Sequence, residues 1–208
     1  MNWRELKERN ITLMGGAASG GLDSCTATHW LSSKGFSIHS LTVDLGQPDE
    51  ESLEAVRDRM LACGAVEATI VPGQAALAAA GLKVLQAQAR YEGGYWNTTG
   101  IARPVTIGAI LPELEAAGIP VLFHGATGRG NDQVRFQLAA NMLAPSVDVY
   151  APWRDPEFVA EFPGREQMID YCQKHELPIR PPGEARYSTD ANFLGLTHEA
   201  GDLEDVDR

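Results

Sequence analysis

The chain has 208 residues, of which 44% are hydrophobic and 22% charged, and it carries a formal net charge of −11 at pH 7. That length suits one domain, or one domain with part of a second, and the apolar content supports a buried core and excludes a disordered chain. The acidic balance argues against nucleic acid as a main partner, because phosphate-backbone contacts need a surplus of Lys and Arg; a small phosphate ligand stays open, since one helix N-terminus and a few arginines hold it locally.

In chain order, "ITLM" is a short apolar strand, followed by Gly15, Gly16 and the stretch "SGGLDSC". A helix is expected from about Leu22 to Lys34, with Gly35 as its stop. "FSIHSLTVD" alternates as a strand, "DEESLEAVRDRMLACG" starts with acids and ends on glycine as a helix should, and "AVEATIVP" is a third strand. "QAALAAAGLKVLQAQARY" is helical, with Gly81 as a weak point. "YEGGYWNTTGIARP" breaks the alternation and is expected to be a polar, aromatic loop. The chain then gives a helix in "VTIGAILPELEAAG", where Pro112 favours a kink, a strand in "IPVLFHG" and a helix in "NDQVRFQLAANML". "VDVYAPW" is a further strand and "REQMIDYCQKHEL" a helix. "PIRPPGEARYSTDANFLGLTHEA" is expected to be irregular, and the acidic tail to be solvated or to need a partner.

Strands alternating with helices imply an α/β fold with a parallel sheet covered on both faces, whose ligands sit at the carboxyl ends of the strands. No apolar run approaches the ~18 residues of a membrane span, and the charged "MNWRELKERN" has no signal-peptide core, so neither a membrane partner nor a leader is expected. Cys25, Cys63 and Cys172 are scattered and fit neither a disulfide frame nor a zinc pattern, which suits a reducing cytoplasm.

Three loops fall at the ligand edge: "SGGLDSC", "DLGQP" and "HGATGRGND". In the first, glycines let an anion approach consecutive backbone N–H groups and the dipole of the following helix, and Ser19 and Ser24 add hydroxyl donors. Asp23 repels a bare phosphate; it makes sense with a bridging Mg²⁺, or as a helix cap. The loop lacks the Lys of a Walker motif and is not G-x-G-x-x-G, which excludes the two commonest glycine-loop classes. In "HGATGRGNDQVRF", Thr127, Asn131 and Asp132 cluster at a helix start with Arg135 one turn on; donors for a carboxylate beside an acceptor for an ammonium are the profile of an amino-acid site. No histidine stands at metal spacing, and no catalytic histidine is expected.

"SGGLDS" resembles the pyrophosphate loop of the N-type ATP pyrophosphatases. With "LGQPDEE", "HGATGRGNDQVRF", "LAPSVDVYAPWR", "GREQMIDYCQKH" and "YSTDANFLGLTHEAGDLED", the chain is similar to argininosuccinate synthase from about residue 11 onward. The resemblance implies a Rossmann-like, adenine nucleotide alpha hydrolase-like domain over residues 1–165, with 166–208 a linker and the truncated start of a synthetase domain. It implies an ATP-dependent ligase that adenylates the ureido oxygen of citrulline, releases pyrophosphate, and joins aspartate to give argininosuccinate and AMP. ATP would lie against Ala17, Ala18, Ser19, Gly20, Gly21, Leu22, Asp23, Ser24 and Cys25, with Val43 and Gly125 near the nucleotide and Mg²⁺ on the phosphates. Thr127, Asn131 and Asp132 match aspartate-binding positions; Tyr91, Asn131, Arg135, Ser188 and Thr197 match citrulline-binding ones. Catalysis would rest on Asp23, Ser24 and Arg135 through positioning and electrostatics, with no strong base.

The chain departs from the family at Ala18, where an aromatic is usual, at Gly15 and Gly16 in the strand, and at Gly100 after Thr99. It is also about half the family's length, so a second chain supplying the other half, or a homo-oligomer, is an expected partner. Two alternatives stand beside the ligase: a standalone relative adenylating a different ureido or carboxyl acceptor, and a non-catalytic nucleotide-binding module. Retention of Asp23, Thr127, Asn131, Asp132 and Arg135 counts against the module.

Overall fold

Each of the five apolar segments expected as strands forms one: β1 (Leu13–Ala17), β2 (Ser37–Asp44), β3 (Glu67–Pro72), β4 (Val121–His124) and β5 (Asp148–Tyr150). They make one parallel sheet in the order β3-β2-β1-β4-β5. The computed structural model describes residues 1–48, 52–128, 130–179, 188–199 and 203. Parallel neighbours need crossovers, and these are helical: α2 (Leu22–Ser33), α3 (Leu53–Ala62), α4 (Gln74–Gln86), α5 (Thr98–Ala116) and α6 (Asn131–Leu143). Before them comes α1 (Trp3–Glu8), and after β5 come α7 (Pro156–Glu161) and α8 (Arg165–Lys174).

Both faces of the sheet are covered, as all-parallel sheets require. On one face Leu41, Val43 and Leu122 pack against Leu77 of α4, Ile107, Ile110 and Leu114 of α5, and Phe136 and Ala140 of α6. On the other, Met14, Ile38 and Phe123 meet Trp30 and Leu31 of α2, Phe158 of α7, Phe162 just after α7, and Met168 of α8. A third cluster, with Val56 and Met60 of α3, seats α3 against Cys25 and Cys172. Gly15 and Gly16 belong to β1 itself: a Cβ on Gly15 would stand 2.6 Å from Leu114 Cδ2, and one on Gly16 2.6 Å from Phe123 Cζ. The missing side chains let α5 and Phe123 close on the strand that carries the site.

Two segments differ from the sequence reading. Helix α5 begins at Thr98, inside the stretch expected as a loop, and runs past Pro104 and Pro112. Asn97, with φ 54°, turns the chain into it, and Thr98, Thr99, Gly100 and Ala102 are buried, so packing overrides weak local helix propensity. The segment expected to be irregular contains an antiparallel hairpin, β6 (Ser188–Asn192) and β7 (Gly195–Glu199). It is held from far away in sequence: Asn192 Nδ2 donates to Thr98 O (3.3 Å) and Phe193 N to Leu45 O (3.0 Å). The N-terminal segment folds as α1, closed by a capping box between Asn2 and Glu5.

Candidate active site at the carboxyl edge of the sheet

β1 runs between β2 and β4, and strand order reverses at the β1/β4 boundary. The loops after β1 and β4 therefore diverge around a crevice, the usual ligand position in such sheets. After β1, Ala18 N donates to Leu41 O at 3.0 Å, so the chain stays in the sheet until Ser19. Gly20 then takes φ +70°, where a Cβ would meet Val56 at 2.8 Å and Arg59 at 2.9 Å. Arg59 Nη1 donates to Gly20 O (2.9 Å) and fixes the loop from outside. Gly21 is the N-cap of α2, with no side chain bonded to it as a cap. The first turn of a 12-residue helix thus faces the crevice with its dipole, which is the setting expected for an anion.

Inside the loop, Ser24 Oγ accepts from Ser19 N (3.2 Å) and lies 3.3 Å from Ser19 Oγ. Cys25 is buried, its thiol held by Gly20 O at 3.5 Å, and the contact with Cys63 together with burial pushes its ionisation upward. Leu22 packs between the second and third clusters. Asp23 occupies the first turn as a partly buried carboxylate, not as the cap. Trp153 Nε1, beyond β5, donates to Asp23 Oδ1 at 2.9 Å. Burial raises the pKa of Asp23 from its ordinary value, against the hydrogen bond from Trp153 and the charge of Arg165. Gly125 lies directly opposite: its Cβ would be 3.2 Å from Asp23 Cβ and 3.4 Å from Ser24 N, so the two loops touch here.

Val43 turns its side chain into the core, and its carbonyl accepts from Gln47 Nε2 at 2.8 Å. Its neighbour Thr42 is the β2 side chain in the cleft. That cleft, open to solvent, lies between Ser19 and Thr42 on the sheet side, Leu53 and Val56 of α3, and Arg103 and Thr189–Ala191 on the far side.

The second loop carries Thr127 and Asn131, both exposed, and Asp132, which is half-buried in the first turn of α6. Arg135 Nη1 reaches Asp132 Oδ1 at 2.7 Å. Sequence reading missed the other partner of Asp132. Arg103 of α5 donates through Nε (2.8 Å) and Nη2 (2.5 Å) to Asp132 Oδ2, and through Nη2 to Asp190 Oδ2 of β6 (2.7 Å). Burial pushes the Asp132 carboxyl up, but the bonds and charges of Arg103 and then Arg135 outweigh it and hold it below the usual value. Beneath this cluster His124 is buried, stacked on Phe136 at 4.8 Å, and accepts from Ala126 N through Nδ1 (3.2 Å). Burial lowers its pKa to about 4, so it is neutral at pH 7.

The remaining positions are spread more widely. Thr197 Oγ1 lies 2.9 Å from Thr99 Oγ1, which brings β7 onto α5. Ser188 opens β6, but its side chain lies outside the described residues. Tyr91 is 62% exposed, its backbone bridged to Tyr95. The tyrosine that reaches α5 is Tyr95, whose hydroxyl accepts from Thr99 N at 3.1 Å. Gly100 gives room to Asn97, whose Oδ1 would lie 2.2 Å from any Cβ there. Arg103 was hidden because the loop was read through Pro104. Trp153 stood in a quoted motif, but its partner lies 130 residues away.

A model of the Arginosuccinate synthase N-terminal HUP domain matches residues 14–178. Among curated relatives, "Argininosuccinate synthase" of Rhodopirellula baltica is 41% identical over 192 residues, covering 92% of this chain and 47% of that protein. The protein of the same name from Thermotoga petrophila is 38% identical over 190 residues, covering 91% of this chain and 46% of that protein. The chain spans about half the length of these relatives. A solved structure described as a predicted subunit of tRNA methyltransferase from Methanocaldococcus jannaschii superposes with a TM-score of 0.50 at 14% identity, over 78% of this chain and 75% of that one, and supports the fold alone.

Proposed function

Because the chain belongs to the argininosuccinate synthase family through its N-terminal HUP domain, we propose that it is the ATP-binding, acceptor-activating part of a carbon–nitrogen ligase of that type. The observation that carries this is the meeting of the Ser19–Cys25 loop with Gly125 at the switch point, with Asp132 and Arg135 one loop further on.

In this reading the phosphates of ATP lie at the first turn of α2, within Ala17, Ala18, Ser19, Gly20, Gly21, Leu22, Asp23, Ser24 and Cys25. Val43 takes part from the strand and Gly125 from the facing loop. Among the described residues no group of three or more His, Cys, Asp or Glu is placed to hold a metal. A single carboxylate still fits Mg²⁺, which usually binds through one or two carboxylates, waters and substrate phosphates. Asp23 would hold it, its Oδ1 steadied by Trp153. Bound there, Mg²⁺ would offset charge on the departing pyrophosphate.

The ureido oxygen of citrulline attacks the α-phosphorus of ATP, the bond to pyrophosphate breaks, and the citrullyl-adenylate forms. The amine of aspartate then attacks the activated carbon, and AMP leaves with the electron pair. Aspartate is held by Thr127, Asn131 and Asp132. Citrulline is held by Asn131, Arg135, Thr197, Ser188 and Tyr91, with Tyr95 beside the Thr99–Thr197 pair. Asp23, Ser24 and Arg135 act by placing and stabilising charge, and His124, buried beneath the second loop and neutral at pH 7, takes no part as a base. Residues 1–165 are the nucleotide domain, and 166–208 the start of the part that walls the acceptor side, completed by a second chain or copy.

A second reading has one observation in its favour. Tyr91 stands exposed, so this acceptor wall leaves room for a different ureido or carboxyl substrate. Pyrophosphate release from ATP–Mg²⁺ decides between them, measured with the chain alone and with the C-terminal half of a relative added. Release that needs citrulline, and argininosuccinate that needs aspartate, supports the first. Release with another ureido or carboxyl compound, and none with citrulline, supports the second. ATP binding with no release under any condition overturns both in favour of a non-catalytic module.

A further inference from the structure

Arg103 lies in α5, 18% exposed, and lines the cleft between the phosphate loop and the hairpin. Its guanidinium stacks over Phe136 (5.6 Å) and joins Asp132 of α6 to Asp190 of β6, two carboxylates from distant parts of the chain. An ionised carboxylate offers about four acceptor positions. On Asp132, Oδ2 takes two donors from Arg103 and Oδ1 takes one from Arg135. Among the bonds of the described residues one position is left, and it is on Oδ1.

We propose that Arg103 is a positioning residue for the amine substrate: it fills Oδ2 of Asp132, leaves a single acceptor on Oδ1 for the substrate amine, and through Asp190 makes that arrangement depend on the β6–β7 hairpin. This rests on the reading of Asp132 as the amine-side residue, and it goes beyond it by naming what sets the geometry of that residue. Arginine suits the task because its planar fork gives two donors to one oxygen and still has an N–H for a second carboxylate. Lysine keeps the charge and loses the fork. Freed of Arg103, Oδ2 would offer further acceptors, and Asp132 would turn about its side-chain bonds.

The test compares aspartate with succinate, which has the same two carboxylates and no amine. Both are titrated calorimetrically into the full chain saturated with a non-hydrolysable ATP analogue and Mg²⁺. Wild type is expected to prefer aspartate by about tenfold or more, the scale of one charge-assisted hydrogen bond. In Arg103→Lys and Arg103→Met that preference is expected to shrink to about twofold, while affinity for the ATP analogue changes by less than about threefold. Asp190→Asn, which keeps Arg103, is expected to shrink it less. Thermal melts of each variant show whether it is folded, and Arg103→Lys serves if Arg103→Met is not. A wild type that binds the two acids equally overturns the reading of Asp132, and this proposal with it. A wild-type preference that survives in both Arg103 variants overturns the proposal alone. A merely structural Arg103 would lower melting temperature and weaken both acids together, and that result also counts against it.

Discussion

On the sheet side of the cleft, the Ser19–Cys25 loop takes its turn from near neighbours, with Arg59 and Trp153 bonded to it from farther away. Gly20 supplies the positive φ, Ser19 bonds Ser24 five residues on, and α2 follows at once. On the far side the Arg135–Asp132 pair is local and the other contacts are long-range. Arg103 reaches Asp132 29 residues away and Asp190 87 residues away, and Thr99 meets Thr197 across 98 residues. Phosphate binding needs only backbone amides at a helix start, so a short stretch can encode it. Discrimination among acceptors and amines needs donors and acceptors at fixed separations, and here separate elements supply them. The first side is set by turn geometry, the second by packing between elements.

Four changes would break or sharpen this contrast. The largest effect is expected at Asp23→Ala, which removes the carboxylate proposed to hold the cation on the phosphate side. Pyrophosphate release should fall about a thousandfold, and unchanged turnover would sink the assignment of that loop. The same site carries a trade-off. Burial raises the pKa of Asp23, so its ionised form costs stability as pH rises above the carboxylate range, and Asp23→Asn should raise the melting temperature of the unliganded chain at pH 7 while still losing activity.

Next comes His124, beneath the second loop. Its pKa falls from an ordinary 6.5 to about 4 because burial favours the neutral ring. The unfolded chain binds a proton below about pH 6.5 and the folded chain only below about 4, so stability should fall across that window by about 3 kcal/mol. Urea midpoints from pH 7 to 4 measure it, and His124→Asn should flatten the profile there. A wild-type profile already flat in that window would contradict the buried, neutral assignment.

Asp132→Ala should weaken aspartate about thirtyfold and an ATP analogue less than about threefold, since it lies on the far side only. Equal losses of the two would show that the sides are not separate. The smallest change is Thr99→Val, which leaves Thr197 without its hydroxyl partner: about 1 kcal/mol in unfolding free energy. It should alter acceptor binding with little effect on the ATP analogue, and a loss of both would again join the two sides.

This contrast also explains what could be read from the sequence. The five strands were legible because each is a short apolar run between turn signals, and α6 begins and ends where "NDQVRFQLAANML" does. The glycine turn before α2 was legible from Ser19, Gly20, Gly21 and Asp23 alone. The start of α5 was not, because Thr98, Thr99, Gly100 and Pro104 are poor helix formers, and the first three are helical where they are buried. The hairpin was hidden for the same reason, since its partners Leu45, Thr98 and Arg103 lie far upstream. Arg103 was therefore read as part of a loop. Thr42 shows a finer limit: its neighbour Val43 was expected near the nucleotide, but strand alternation turns Val43 to the core and Thr42 to the cleft.

The bond from Trp153 to Asp23 gives the chain an optical consequence. An indole whose N–H points at a carboxylate sits in a local field that changes whenever that carboxylate is protonated or gains a cation. Trp153 should therefore change emission as phosphates and Mg²⁺ arrive, and do so from the site itself. The other three tryptophans, Trp3, Trp30 and Trp96, dilute the signal. Replacing them with phenylalanine would leave a built-in fluorophore that reports the charge state of one carboxylate in real time.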